Sequence, residues 1–210
     1  GDHRDLHSFP TRRSSDSAKN WPDCADVINE IRDQSNCGCC WAFGGAEAAS
    51  DRMCIQTKAQ IKVPLSSEDT CFCASFDGCG GGMISTPWDH MKREGIVTGG
   101  QQNNTGALGG GWCSKFELPH CHHHGPQRND PYPPEGSPGC PSQQSRRCPS
   151  KCDADAKAPH NVFSSDKYTF SGSVTDYGGS ADSIAQAIMA HGPLEVAFTV
   201  YSDFENYAGG

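Results

Sequence analysis

Apolar positions follow a helical spacing in the first half of the chain and an alternating one near its end. From Cys40 to Met53, CWAFGGAEAASDRM sets Trp41, Phe43, Ala46, Ala49 and Met53 along a helical face, and alanine, the strongest helix former, fills the turns between. Gly44 and Gly45 weaken that helix and imply that something packs closely against it. PLSSEDT begins a second helix, with Ser66 or Ser67 as its cap and acidic residues in its first turn. STPWDHMKREG gives a third, over 85–95, with Pro87 at its start and Gly95 after its end. Residues 99–160 show neither period. They hold Gly, Pro, His and five cysteines, which predicts a large loop region pinned by disulfides. After Asp166, KYTFSGSVTDY alternates like a strand. SADSIAQAIMAHG reads as a capped helix ending at Gly192, and PLEVAFTVYSDF as a second strand. The pattern is α+β: a helical first half, a loop-rich middle and a strand-bearing end, with no internal repeat.

A chain of 210 residues suits one domain or two small lobes sharing a cleft. The net charge of −8 argues against nucleic acid as a partner. No run of 18 apolar residues is present, so no membrane span is expected. Thirteen cysteines point to disulfides formed in an oxidising compartment. Structural zinc is the alternative, but Cys37 and Cys40 have no second knuckle to complete four ligands. The odd count leaves at least one thiol unpaired. Residues 1–16, GDHRDLHSFPTRRSSD, have no apolar core and are not a signal peptide. LHSFPTRRSSD reads like translated adapter sequence. The expectation is a non-native or disordered leader over 1–16 and one domain over 17–210, cut at both ends.

Three cysteines fall together in QSNCGCCWAFGG. The first turn of a helix offers unpaired N–H groups and the positive end of the dipole, which favour a thiolate. Cys40 stands at that position, and the side-chain amide of Gln34 is a candidate to hold an oxyanion when a thiolate attacks a carbonyl. The alternative is that all three cysteines are structural.

The segment QSNCGCCWAFGGAEAASDRMC resembles the active-site segment of papain-family cysteine peptidases, with Cys39 where that pattern has Ser or Ala. WPDC, DRMCIQT, DGCGGG, GIVTGG and HGPLEVAFTVYSDF extend the resemblance, in order, to the cathepsin B type over roughly 17–210. LPHCHHHGP is similar to that type's occluding loop, placed here within 113–152. The resemblance implies a two-lobed papain-like fold: a helical left lobe and a right lobe built on a β-barrel, truncated here. It implies Cys40 as nucleophile and Gln34 as oxyanion amide. Gly81 and Gly82, with Trp41, would line bound peptide, and Gly80 replaces the usual Asn, loosening that rim. His123 and His124 would receive a substrate's C-terminal carboxylate, with Asp33 anchoring the first of them. Such a His⁺–carboxylate latch weakens as rising pH removes the imidazole proton.

The pairings it implies are Cys24–Cys54, Cys37–Cys79, Cys113–Cys152 and Cys121–Cys140, with Cys148 joined to Cys71 or Cys73. Cys39, Cys40 and one of Cys71 and Cys73 then stay free. A thiolate also needs an imidazole oriented by Asn or Asp. His191 lies at a tempting distance but falls where the resemblance has Asn-Gly-Pro. The catalytic His and Asn would lie in Gly-Gly-His-Ala and Asn-Ser-Trp segments beyond residue 210, so this length of chain is expected to be inactive by itself. No metal or cofactor is implied. Expected partners are peptide and protein substrates, a propeptide and cystatin-like inhibitors, acting on a monomer in a lysosomal or endosomal vesicle or outside the cell. The competing readings are a catalytically dead, disulfide-rich binding protein on the same fold, and a zinc site at His120, Cys121, His122, His123 and His124. Asn103 opens a glycosylation sequon. His90 is expected on a helix surface or partly in the core, and His3, His7 and His160 in solvent.

Overall fold

The computed structural model describes residues 16–102, 107–123, 129–202 and 204. Its helices are α1 (Ser17–Asn20), α2 (Ala25–Ile28), α3 (Cys40–Gln56), α4 (Ser67–Cys73), α5 (Thr86–Arg93) and α6 (Ala181–His191), with single 3₁₀ turns at Pro22–Cys24 and Gly78–Gly80. Asp16, assigned from sequence to the leader, caps α1 by accepting from the Lys19 amide. His3, His7 and Asn103 lie outside the described residues.

Helix α3 is the axis of the fold. Eleven of its seventeen residues are buried, so it is enclosed on most sides, where the sequence indicated a single apolar face. Its first turns carry Trp41, Ala42 and Phe43 into a cluster with Phe72, Phe116 and Leu118. Phe43 meets Phe116 edge to face at 4.7 Å between centroids. Further along, Ala46, Ala49 and Met53 join Val63, Leu65, Met91 and Ile96. Cys54 ends the helix in a third cluster with Cys24 and Val27. Ser50 is buried among these but fully paired: its hydroxyl donates to the Ala46 carbonyl (2.7 Å) and accepts from the Leu65 amide (2.9 Å).

The shorter helices start and stop where their residue chemistry dictates. Ser66 caps α4 through the Asp69 amide, Pro87 lies in the first turn of α5, and α6 runs from its Ser180 cap to Gly192. Gly192 has φ +89°, a conformation that favours glycine. Glycines 44 and 45 are contact points. A Cβ at Gly45 would run into the Pro87 ring of α5, and one at Gly44 would press on Glu195.

The strands are the main departure from expectation. Among the described residues there are four isolated bridges and no ladder, so the expected truncated β-barrel lobe is not assembled. Of 167–177, only Tyr168 pairs, with Ile96. The physical reason lies in what stands opposite. Antiparallel register about the Tyr168–Ile96 bridge sets residues 169–177 against Gly95 and then α5, a helix and not a strand. On the other side of the bridge the Asp166 carboxylate takes the Thr98 amide at 2.8 Å. Residues 193–202 keep their alternation but have no strand beside them, and Val196, Phe198 and Val200 are all more than half exposed.

Five disulfides close: Cys24–Cys54, Cys37–Cys79, Cys73–Cys148, Cys113–Cys152 and Cys121–Cys140. Three of them tether the stretch 99–160, which among its described residues has no helix and two bridges, Gln101–Phe116 and His122–Pro134. Cys39, Cys40 and Cys71 are free thiols.

Candidate functional site

Cys40 is the first residue of α3, with Cys39 as its N-cap. The peptide preceding α3 turns so that the two neighbours part: Cys39 is fully buried while Cys40 is exposed. The Cys40 side chain therefore faces outward at the positive end of the longest helix. It opens on a cavity of about 460 Å³ whose wall includes Gln34, Asp33, Phe43, Glu47, His123 and Glu135.

The wall opposite is built by a tight turn. Ser35 sits at φ +59°, unusual for a residue with a side chain. It is held there because its amide donates to Asp33 Oδ1 at 2.6 Å. Gln101 clamps the same turn from both sides: its Nε2 donates to the Asp33 carbonyl (2.8 Å) and its Oε1 accepts from the Asp33 amide (3.0 Å). Asp33 thereby presents its second oxygen to the cavity, where Oδ2 lies 2.9 Å from His123 Nε2. The other ring nitrogen, Nδ1, lies 2.6 Å from Glu135 Oε1. The imidazole is thus held between a carboxylate of the cleft wall and one of its own loop. The Gln34 amide nitrogen donates to the Cys37 carbonyl at 3.0 Å, within its own loop.

Beyond the cavity, Trp41 lies buried, and its Nε1 donates to the Gly78 carbonyl at 3.1 Å. A Cβ on Gly82 would collide with the Trp41 ring, so a glycine there lets the backbone lie flat on the indole. Gly81, at φ +101°, faces open space. Gly80, expected to loosen this rim, does the reverse. Its amide donates to Asp77 Oδ1 at 3.1 Å, and the Asp77 carboxylate occupies the space a side chain at 80 would need. Ser145 completes the tie, donating to Asp77 and accepting from the Cys79 amide.

One side of the cavity, formed by Arg32 and Glu47, belongs to a largely buried charge cluster that the sequence did not single out. The Arg32 guanidinium is 1% exposed; it pairs with Glu30 at 2.7 Å and donates to the Leu65 carbonyl. Glu47, on α3 below Cys40, is pushed up to about 7, chiefly by burial and further by Asp51 and Glu30, with Arg32 opposing. Burial, with a further push from Glu30, also raises Asp51 to about 7 against the pull of Arg32. Helical spacing places Glu47 and Asp51 one turn apart, the one signal that pointed to them.

Among the described residues, the histidines of this loop do not gather at one point. His122 Nδ1 lies 2.8 Å from Asp130, His123 is held as above, and His120 packs edge-on against Tyr132 at 4.6 Å. Cys121 is bridged to Cys140, and His124 lies outside the described residues. His90, on α5, takes the core side of its expectation: it is 3% exposed, within 4.0 Å of Asp69 on α4. One histidine differs from expectation. His160 Nδ1 lies 2.6 Å from Asp166 and its ring rests on Trp112, so it is part-buried rather than solvated. His191 closes α6 and is exposed.

Comparison with known proteins gives a consistent result. The model of the papain family of cysteine proteases matches residues 13–210. A cathepsin B-like cysteine proteinase 6 of Caenorhabditis elegans is 40% identical over 200 residues, covering 94% of this chain and 49% of the relative. A cathepsin B-like cysteine proteinase of Schistosoma japonicum is 38% identical over 213 residues, covering 100% of this chain and 57% of the relative. The chain thus spans about half the length of the curated relatives it matches. Among solved structures, the Haemonchus galactose containing glycoprotein complex aligns with 93% of this chain and 77% of its own, at a TM-score of 0.54 and 24% identity, a likeness of fold.

Proposed function

Because the chain belongs to the papain family of cysteine proteases, we propose that it is the nucleophile-bearing part of a cathepsin B-like peptidase that works through Cys40. The observation that carries this reading is the exposed Cys40 thiol at the head of α3, facing a cavity shared with Gln34, Asp33 and His123. The thiolate would attack a peptide carbonyl, the amine would leave, and water would cleave the resulting thioester. Gln34, released from the Cys37 carbonyl, would donate to the oxyanion. Peptide would lie along Gly81 and Gly82 above Trp41.

The latch formed by His123 with Asp33, together with His124, would hold a substrate's C-terminal carboxylate and favour removal of dipeptides. His123 is the one imidazole in the cavity wall among the described residues, and both its nitrogens face carboxylates. The base for Cys40 is therefore assigned to the Gly-Gly-His-Ala and Asn-Ser-Trp segments of the family, which these 210 residues do not contain. Peptide and protein substrates, a propeptide and cystatin-like inhibitors are the proposed partners of a monomer, working in an acidic vesicle or outside the cell.

The test is labelling of the full-length protein with an epoxysuccinyl probe, followed by peptide mapping. Label on Cys40, absent from Cys40→Ala, is the expected result. Label on Cys39, or none, would overturn the peptidase reading and favour an inactive binding protein on this fold.

A further inference from the structure

Two thiols lie in the core directly beneath the candidate nucleophile, and the proposed chemistry uses neither. Cys39 and Cys71 are both fully buried. They share a cluster with Trp41, Ala42, Phe43, Phe72 and Phe116, surroundings that offer a thiol little polar company. The Sγ atoms of Cys37, Cys39 and Cys71 all lie within 4.8 Å of one another, and Cys39 Sγ is 3.4 Å from Cys37 Sγ. Cys37 is already committed to Cys79. The two remaining sulfurs are unbridged in this structure but lie within 4.8 Å of each other, so a bond of ~2.05 Å is reached by a movement of roughly 3 Å.

We infer that Cys39 and Cys71 form a sixth disulfide, tying the N-cap of α3 to α4 and leaving Cys40 as the free thiol of this region. Three features support it. The chain closes five other bridges, so the setting in which it folds is oxidising. The pocket is sealed in a way that suits a bond: Gly78 has no Cβ, and one would strike the Cys71 carbonyl and sulfur. Trp41 fixes Gly78 in place through its indole N–H. Finally, a Cys39 thiol left reduced beside Cys37–Cys79 would be placed to attack Cys37 and expel Cys79 from the cleft rim; bonding to Cys71 removes that attacker.

The bond closes as the chain folds, before the core shuts. Once buried, the hydrogen bond from Cys39 and then the loss of solvent push the Cys71 thiol far up, and a thiol held neutral exchanges poorly. In balance, each thiol gives up a proton and the pair gives up two electrons. A small-molecule disulfide of the oxidised glutathione class accepts them, passing through a mixed disulfide and ending as two thiols.

The experiment takes the full-length protein, refolded with a glutathione redox pair, quenched in acid, denatured without reductant, alkylated with N-ethylmaleimide and mapped after digestion. The expected result is one maleimide on the peptide carrying Cys37 to Cys40 and none at Cys71. In Cys39→Ser, Cys71 should become labelled; in Cys71→Ser, the Cys37–Cys40 peptide should go from one label to two. Maleimide on Cys71 in the unmutated protein, or a Cys71 that stays unlabelled in Cys39→Ser, would overturn the bridge. Each single variant reports independently, so one that fails to fold does not remove the test.

Discussion

Replacing Glu195 with Gln should stabilise the protein at neutral pH and leave it unchanged in acid. Glu195 lies over the α3 glycines, with Oε2 accepting from Trp88 Nε1 at 2.7 Å and Oε1 buried without a partner. Burial pushes its carboxyl from 4.5 up to about 8, and the Trp88 hydrogen bond only partly opposes this. Between those two values the folded chain holds a proton that the unfolded chain has lost. The stability this group contributes is therefore fully present below about pH 4.5 and is lost as pH rises to about 8. Fully desolvated, the difference would be worth about 5 kcal/mol at roughly 1.4 kcal/mol per pKa unit. The side chain is only part-buried, and water screens it down to roughly 2 kcal/mol. Gln keeps the carbonyl that Trp88 needs and never ionises. Thermal unfolding followed by circular dichroism at pH 4.5 and pH 8 should show equal midpoints at the first. At the second, the variant should gain roughly 4–8 °C, given 2–4 °C per kcal/mol for chains of this size. The same gap at both pH values, or a variant that is weaker at pH 8, would refute the argument.

Other substitutions probe the core and the cleft. Arg32→Met should cost about 3–5 kcal/mol by stranding Glu30, Glu47 and Asp51 without their cation, read as a lower denaturant midpoint; a loss under 1 kcal/mol would mean water reaches the cluster. Gly45→Ala should cost about 1–3 kcal/mol in the same assay, because its methyl meets Pro87, and a neutral result would show that α5 shifts freely. In full-length enzyme, Asp33→Asn should lower dipeptide removal about tenfold while cleavage of internal bonds persists; equal loss of both would count against a latch. Gly82→Ala should raise KM with little change in kcat by lifting the rim off Trp41, and an effect confined to kcat would place that glycine elsewhere in the reaction.

Helices were legible in the sequence because their signals are local. The Ser66 and Ser180 caps, Pro87 and Gly192 fix boundaries within a few residues of themselves. The strand at 167–177 was misread because alternation describes only the strand, while pairing depends on what lies opposite. Beyond the Tyr168–Ile96 bridge that is Gly95 and the α5 helix, and no period within 167–177 reveals it. At the site, Cys40 was legible from its position before a helix and from the letters around it. Glu135 and Gln101 were not, since each reaches Asp33 or His123 across a loop-rich stretch where spacing has no structural meaning. Arg32 and its acids were hidden for another reason: burial of charge is a tertiary fact, and composition counts such residues as surface.

The double hold on His123 has a consequence for the proposed latch. Asp33 belongs to the wall, but Glu135 travels with the imidazole, twelve residues further along its own segment. In the latch proposed above, release from the wall would break the contact with Asp33 and leave the one with Glu135 in place, so opening would cost the loss of a single polar contact. The wall's carboxylate, left behind, is already tied by the Ser35 amide and keeps its aim for the return. Such a latch would be a catch whose striker plate, Asp33, is fixed by its own turn and whose tongue, the His123–Glu135 pair, is already assembled.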